Sequence, residues 1–307
     1  MSARERRTFP LVPRRRLTGL PFGDLPSRRR GHGSEVISAR PYEPGDPVSS
    51  IDWFASARLS SASGGDEFVV RDRAADEAPR VAIVVDRRPA MGLYPHPLPW
   101  LTKREALREA VASIVASAAV ARADIAALDF AGGDAWWLPP GRRDRPWQVV
   151  EREGGATPFD APDDSLARAL AFLGTHRTDL PAGSFVFLLS DFLVPPPLEA
   201  WVRATGHGWD VVPVVIQDPV WESSFPPVGG VAIPVADPRR AGVSLVRLSR
   251  RAATRRREQN ELRHTRLLAE LDSFGLRSVA IGTSDPLEVD LAFVEWAEER
   301  RRSRWLR

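Results

Sequence analysis

The sequence predicts an α/β fold from residue 80 onward: a doubly wound, mostly parallel sheet with helices on both faces, preceded by a small irregular and β-containing segment. Three observations predict it. Apolar runs of strand length recur as VAIVVD (81–86), DIAALDF (124–130), SFVFLLSD (184–191) and DVVPVVIQD (210–218). Helical patterns separate these runs, and near-continuous apolar strands alternating with helices indicate strands buried on both sides. Before residue 80 the texture differs, being rich in Gly, Pro and Ser without sustained periodicity. Together these select a layered α/β domain.

Taken in order, residues 1–30 are basic, with Arg4 to Arg7 and Arg14 to Arg16 spaced by prolines, and read as a solvated, poorly ordered arm. Residues 31–79 form a separate segment with strand-like pieces at 35–40 and 67–70. The helical stretch LTKREALREAVASIVASAAVAR (101–122) follows the first buried strand, and Thr102 with Glu105 fits a capping box at its start. AWWLP (135–139) reads as a strand and 163–175 as a helix. A second helix is expected near 196–205. The Pro- and Gly-rich stretch 219–249 carries two strand-like pieces, VAIPVAD (231–237) and VSLVRLS (243–249), and reads as a β insertion. A long basic helix at 250–273, a strand at 277–283 and a terminal helix at 286–304 complete the chain, the last ending in arginines that suit the negative end of its dipole.

Composition narrows the chemistry. At 307 residues, 43% hydrophobic and 27% charged, the chain can bury a sizeable core. Without cysteine there is no thiolate nucleophile, thiolate metal site or disulfide, which leaves carboxylates, hydroxyls, histidines and arginines. His32, His96, His176, His207 and His264 show no zinc-ligand spacing. No glycine-rich phosphate loop follows a strand, which argues against dinucleotide binding and intrinsic NTPase activity. The run VASIVASAAVA (111–121) is shorter than the roughly 20 apolar residues of a membrane span, and the basic N-terminus lacks an apolar core, so the expected location is cytoplasmic.

In a doubly wound sheet ligands bind beyond the carboxyl ends of the strands. Asp86 after VAIVV, GGAT at 154–157 and Ser190–Asp191 after SFVFLL stand there. An isolated aspartate at such a place is commonly a cap or loop acceptor. The combination points further.

The runs PYEPGDPVSSIDWFASAR (41–58), EFVVRDRAADEAPRVAIVVDRRPAM (67–91), GGATPFDAPDDSLARAL (154–170), FVFLLSDF (185–192) and VVPVVIQDPVWESSFPPVGGVAIPVADP (211–238) resemble the domain of unknown function 58 family. Its members carry a von Willebrand factor A-like domain behind a PGD…DW…AR segment, matched here by Gly45, Asp46, Asp52, Trp53 and Arg58. These five are expected to be structural, with Trp53 buried and docked on the sheet domain and Arg58 paired to an acid. The metal-binding kind of von Willebrand A domain holds magnesium through a DxSxS loop, a threonine and a second aspartate. By this resemblance the positions are Asp86, Thr157 and Asp191, with Ser190 beside the last, while Arg88 and Ala90 stand where the two serines would be.

Losing two hydroxyl ligands and gaining a guanidinium weakens a magnesium site, whereas arginine is shaped to fork onto carboxylates. The expectation is a degenerate metal-ion-dependent adhesion site in which Arg87 or Arg88 ties Asp86 to Asp191, with weak Mg2+ on Asp86, Thr157, Asp191 and water as the alternative. The resemblance implies a non-enzymatic adaptor or assembly factor that works with a MoxR-type AAA+ ATPase. Two other readings stay open: magnesium-dependent phosphoryl transfer or hydrolysis on Asp86 and Asp191, and nucleic-acid binding through the arginine-rich segments, which are nearly free of interleaved aromatics.

Overall fold

The computed structural model describes residues 6–13, 36–42, 48, 51–65, 67–73, 79–93, 101–142, 144–236 and 243–305. The chain divides into two compact units, residues 15–79 and residues 1–14 together with 80–307.

In the smaller unit β1 (Val36–Pro41) pairs antiparallel with β2 (Val69–Arg73). Between them in sequence runs α1 (Trp53–Ser63), where irregular chain was expected. Asp52 starts this helix by accepting hydrogen bonds from the backbone N–H groups of Phe54 and Ala55, the role of an N-cap. Gly64 ends it in the left-handed conformation, φ 73°. The buried Ser56 hydroxyl donates to the Asp52 carbonyl and accepts from the Val69 N–H, which fastens the helix to β2. The run SARLSSAS concealed the helix because serine reads as turn-forming, yet Ser61 and Ser63 donate back to carbonyls four residues earlier.

In the larger unit the chain order is β3 (Arg80–Val85), α2 (Lys103–Val120), β4 (Asp124–Asp129), β5 (Trp136–Gly141), α3 (Arg145–Gly154), α4 (Ser165–Thr175), β6 (Phe185–Ser190), α5 (Leu198–Gly206), β7 (Asp210–Ile216), β8 (Val231–Ala236), β9 (Val243–Leu248), α6 (Arg250–Ser273), β10 (Val279–Ile281) and α7 (Pro286–Trp305). Six strands make one sheet in the order β10-β7-β6-β3-β4-β5, and among the described residues β8 and β9 pair only with each other. All neighbours in the large sheet are parallel except β5, which runs antiparallel at the edge. The connection from β4 to β5 is too short for a crossover, and Gly132 and Gly133 turn it at φ 75° and 89°. The doubly wound fold class expected from the sequence is therefore observed.

Alternation along the strands fills both faces. Ala82, Val84, Val186, Leu188, Val211 and Val215 face a core closed by Leu166 and Leu170 of α4, Trp201 of α5 and Leu267 and Leu271 of α6. Phe187 faces the other way, with ring centroids 6.3 Å from Phe293 and 6.0 Å from Trp296 of α7. Residues 6–13 differ from the solvated arm expected of them. Phe9 is buried and stacks on Phe293 at 4.8 Å, its N–H donates to Ser117 Oγ, and the Val12 carbonyl accepts from Arg300. The apolar side chains of Phe9 and Val12 outweigh the charge of their neighbours. Thr102 is the N-cap of α2 as expected, but its side chain makes no capping bond, so the capping box is absent.

Candidate functional site

Strand order reverses about β3: the chain leaves β3 for β4 on one side and later returns to β6 on the other. The crevice beyond the carboxyl ends of β3 and β6 is the switch point, where ligands of doubly wound folds bind. Asp86 follows β3 there and Ser190 ends β6. The β3–β6 ladder continues one residue past the strand, with Asp86 N–H donating to the Leu189 carbonyl at 3.0 Å.

Asp86 is 1% exposed, and its charge is met by Arg88. Arg88 Nε lies 3.0 Å from each carboxylate oxygen and Nη2 lies 2.7 Å from Oδ2. The Arg88 backbone N–H adds a bond to Oδ1 at 2.9 Å, and the Ser190 hydroxyl donates to Oδ2 at 2.6 Å. The rest of the guanidinium reaches across to β6: Nη1 donates to the Val194 carbonyl at 2.7 Å and Nη2 to Ser190 Oγ at 3.2 Å. Burial pulls the Arg88 pKa down, but the bond and charge of Asp86, with Asp191 and Asp163 behind it, leave it raised above the usual arginine value.

Arg88 Nη2 comes only to 4.0 Å of Asp191 Oδ1. The cation on Asp191 is instead Lys103, the chain's single lysine, at the first position of α2. Its Nζ lies 2.8 Å from Asp191 Oδ2 and also holds Glu222. Burial lowers the ammonium pKa, yet the charges of Asp191 and Glu222 carry it above the ordinary lysine value. Glu222 is raised, chiefly by burial and then by Asp191, because two carboxylates share one ammonium; Lys103 opposes the shift. The loop that carries Asp191 is held under strain: Phe192, fully buried and non-glycine, sits at φ 49°, a conformation costing about 1–2 kcal/mol for an L-residue. Asp191 Oδ1 accepts from the Leu193 N–H, and the Asp191 carbonyl accepts from Gln217 Nε2 beyond β7.

Arg87 serves a second cluster rather than this one. Successive residues of extended chain point to opposite sides, and Arg87 turns toward β4, where it holds Glu153 and approaches Asp129 Oδ2 at 3.5 Å. Arg152 of α3 completes that cluster with bonds of 2.5 and 2.7 Å to Asp129. Burial pushes the Glu153 carboxyl up against the opposing charge of Arg87.

The other sequence-expected positions fall as follows. The Thr157 hydroxyl donates to the Arg152 carbonyl at 2.9 Å, and no bond joins it to Asp86 or Asp191 among the described residues. Ala90 contributes its carbonyl, 3.4 Å from Lys103 Nζ. In the PGD…DW…AR segment Gly45 and Asp46 lie outside the described residues. Asp52 is the α1 cap. Trp53 and the neighbouring Phe54 are 61% and 72% exposed rather than buried, and Arg58 stacks its guanidinium 4.9 Å over the Phe54 ring, with no ion pair to an acid among the described residues. Lys103, Glu222 and Asp129 were missed as site residues. A lone lysine in a chain otherwise cationic through arginine was the available signal for Lys103; nothing in the sequence pointed to Glu222.

The donor set does not suit magnesium. Both strand-end aspartates already accept from buried cations, and no three His, Asp or Glu side chains among the described residues form a group that could hold a metal ion.

Residues 38–267 match the family described as "Protein of unknown function DUF58". The chain belongs to the DUF58 family. That span contains every residue of the Asp86–Asp191 site, from α1 through most of α6. Uncharacterized protein Rv1480 of Mycobacterium tuberculosis and uncharacterized protein Mb1516 of Mycobacterium bovis are each 28% identical to this DUF58 chain over 232 residues, covering 75% of it and 69% of the relative. Among solved structures it is similar to the conserved hypothetical protein BatB from Bacteroides thetaiotaomicron, with 16% identity, a TM-score of 0.44, and 73% of this chain and 99% of that one covered. An aerotolerance-related membrane protein from Bacteroides fragilis matches at 14% identity and TM-score 0.43, covering 72% and 99%. No described helix of this chain is long and apolar enough to cross a membrane.

Proposed function

We propose that this DUF58 protein is a non-enzymatic protein-interaction module whose von Willebrand A-like adhesion site has exchanged its metal ion for two built-in cations, Arg88 and Lys103. One observation carries the reading: each strand-end aspartate is met by its own buried cation, so neither is available as a ligand to a divalent ion or as a base toward a substrate. Asp86, Arg88, Lys103, Ser190 and Asp191 are all buried, which supports a structural linchpin rather than a reaction centre. The carboxyl edge beside it offers apolar surface to a partner, since α5 exposes Leu198 and Val202 one turn apart.

In this reading the chain is a cytoplasmic adaptor or assembly factor, and its partner is a MoxR-type AAA+ ATPase, as the family resemblance implies. The ATPase supplies the nucleotide chemistry for which this sequence has no phosphate loop. Titration calorimetry with MgCl2 and MnCl2, joined to co-purification with that ATPase, tests it. The expected result is no saturable metal binding, no nucleotide hydrolysis by the chain alone, and a stable complex with the ATPase. Saturable binding of either ion that is lost in Asp191→Ala overturns the exchanged site, and failure to form the complex overturns the partner.

A further inference from the structure

The β8–β9 hairpin and the start of α6 form a surface that is largely exposed among the described residues. Paired residues of an antiparallel ladder share a face, and the pairs Val231–Leu248, Ile233–Val246 and Val235–Ser244 put five aliphatic side chains on one face. Val231, Val235 and Val246 are 43%, 43% and 41% exposed, and Leu245 on the opposite face is 76% exposed. Among the described residues the two strands pair with no other strand. A two-stranded ribbon without a packed face is marginally stable in water, and contiguous exposed aliphatic side chains mark an interaction surface.

The basic row is attached to this hairpin without a flexible tether. Ser249 alone separates β9 from α6 and caps the helix by accepting from the Ala252 N–H. Gly230 N–H donates to the Leu248 carbonyl at 2.8 Å. A Cβ on Gly229 would lie 2.3 Å from Arg250 Cγ and 2.9 Å from its backbone nitrogen, so the hairpin's root sits directly against the first turn of the helix. From residue 247 to 257 the chain carries Arg247, Arg250, Arg251, Arg255, Arg256 and Arg257 and no acid. Five of the six are exposed; Arg257 donates to the Phe225 carbonyl. Like charges this close repel, and the helix's own dipole disfavours cations at its amino end. The arrangement lowers local stability unless anionic groups arrive from outside.

Resting on the reading of this chain as an interaction module, we infer that the β8–β9 hairpin and the first two turns of α6 are its docking surface for a protein partner that presents an aliphatic patch flanked by carboxylates. A second copy of the chain fits poorly, because a two-fold interface sets a patch against itself and would bring the two arginine rows together. Nucleic acid lacks a match for the aliphatic face, and neither the hairpin strands nor the first two turns of α6 carry a Phe, Tyr, Trp or His ring on which a base could stack.

A photo-cross-linking residue placed at Leu245 in the full chain, expressed in its own host, tests this, with the same residue at Val120 of α2, also exposed (72%), as control. The expected result is one protein adduct at Leu245 and none at Val120, mapping by mass spectrometry to an acidic segment of the partner. The adduct should fall at least tenfold in Arg255→Glu/Arg256→Glu and return when the mapped carboxylates are changed to arginine. The Arg255→Glu/Arg256→Glu variant should melt at or slightly above the parent temperature, since the substituted side chains are solvated and acids suit the amino end of a helix. An adduct with another copy of the chain, binding of purified protein to tRNA or to phosphatidylglycerol vesicles through the same arginines, an adduct indifferent to charge reversal, or no adduct at Leu245 overturns the inference. A complex with the ATPase that survives these changes sinks the surface and leaves the proposed function standing.

Discussion

Lys103 Nζ ends 2.8 Å from Asp191 Oδ2, joining the first residue of α2 to the loop after β6 across 88 positions of sequence. With Arg88 on Asp86, it places a fixed positive charge at each of the two central strand ends. A fixed cation needs no metal supply, but the cluster then depends on every member being present. Removing one partner of a buried ion pair strands the other in a low-dielectric site.

Asp86→Ala is expected to destabilise the fold by about 3–5 kcal/mol, because it leaves the Arg88 guanidinium buried without its carboxylate. Asp86→Ala combined with Arg88→Met should recover much of that loss, since neither charge then remains. Urea unfolding of the two variants and the parent checks this; a double variant as unstable as the single one would rule out the pair as the cause.

Lys103 makes stability sensitive to alkali. Its folded pKa lies above the unfolded value near 10.5, so its contribution is fully present below that pH and declines as pH rises through the higher folded value. Lys103→Met is expected to be less stable than the parent at neutral pH and to show a shallower decline above pH 10.5. Thermal melts across that range are the measurement, and equal slopes in the two proteins would contradict the assignment.

Glu222 acts in the opposite part of the scale. Its folded pKa is raised, so the folded state holds its proton more tightly than the unfolded chain, and stability from this group is lost as pH rises from the ordinary glutamate value through the folded one. Glu222→Gln should flatten the stability profile in that window and be no less stable than the parent at neutral pH, because Asp191 keeps Lys103 to itself. Denaturation midpoints at closely spaced pH values will show whether it does.

If the proposed exchange of metal for built-in cations is right, reversing it should create a metal site. In Arg88→Ser/Ala90→Ser/Lys103→Ala both aspartates lose their cations and two hydroxyls are added beside them. This variant is expected to be unstable without metal and to gain melting temperature progressively with MgCl2, as a ligand bound only by the folded state requires. The parent's melting temperature should not respond.

Phe9→Ala should cost about 3–5 kcal/mol through the cavity left beside Phe293 and Phe187. A change of a few tenths would return residues 6–13 to the status of a solvated tail.

Local pattern alone determined much of this molecule. The strands β3, β4, β6 and β7 were legible because each is a near-continuous apolar run, which only burial on both faces explains, and Asp86 and Asp191 were legible as strand-end carboxylates because each directly follows such a run. Two helices were not. The serines of α1 imitate a turn, while α3 was hidden among prolines although Pro146 at its start and Gly155 after its end were the available signals. The partners of the strand-end carboxylates could be decided only by tertiary structure. Arg87 and Arg88 are identical side chains one position apart, and which reaches Asp86 depends on how the chain turns off β3. Lys103 and Glu222 lie 119 positions apart, and no local pattern records their meeting at Asp191. Periodicity reflects burial, which each segment expresses by itself; pairing of buried charges reflects which strand ends the sheet topology sets side by side.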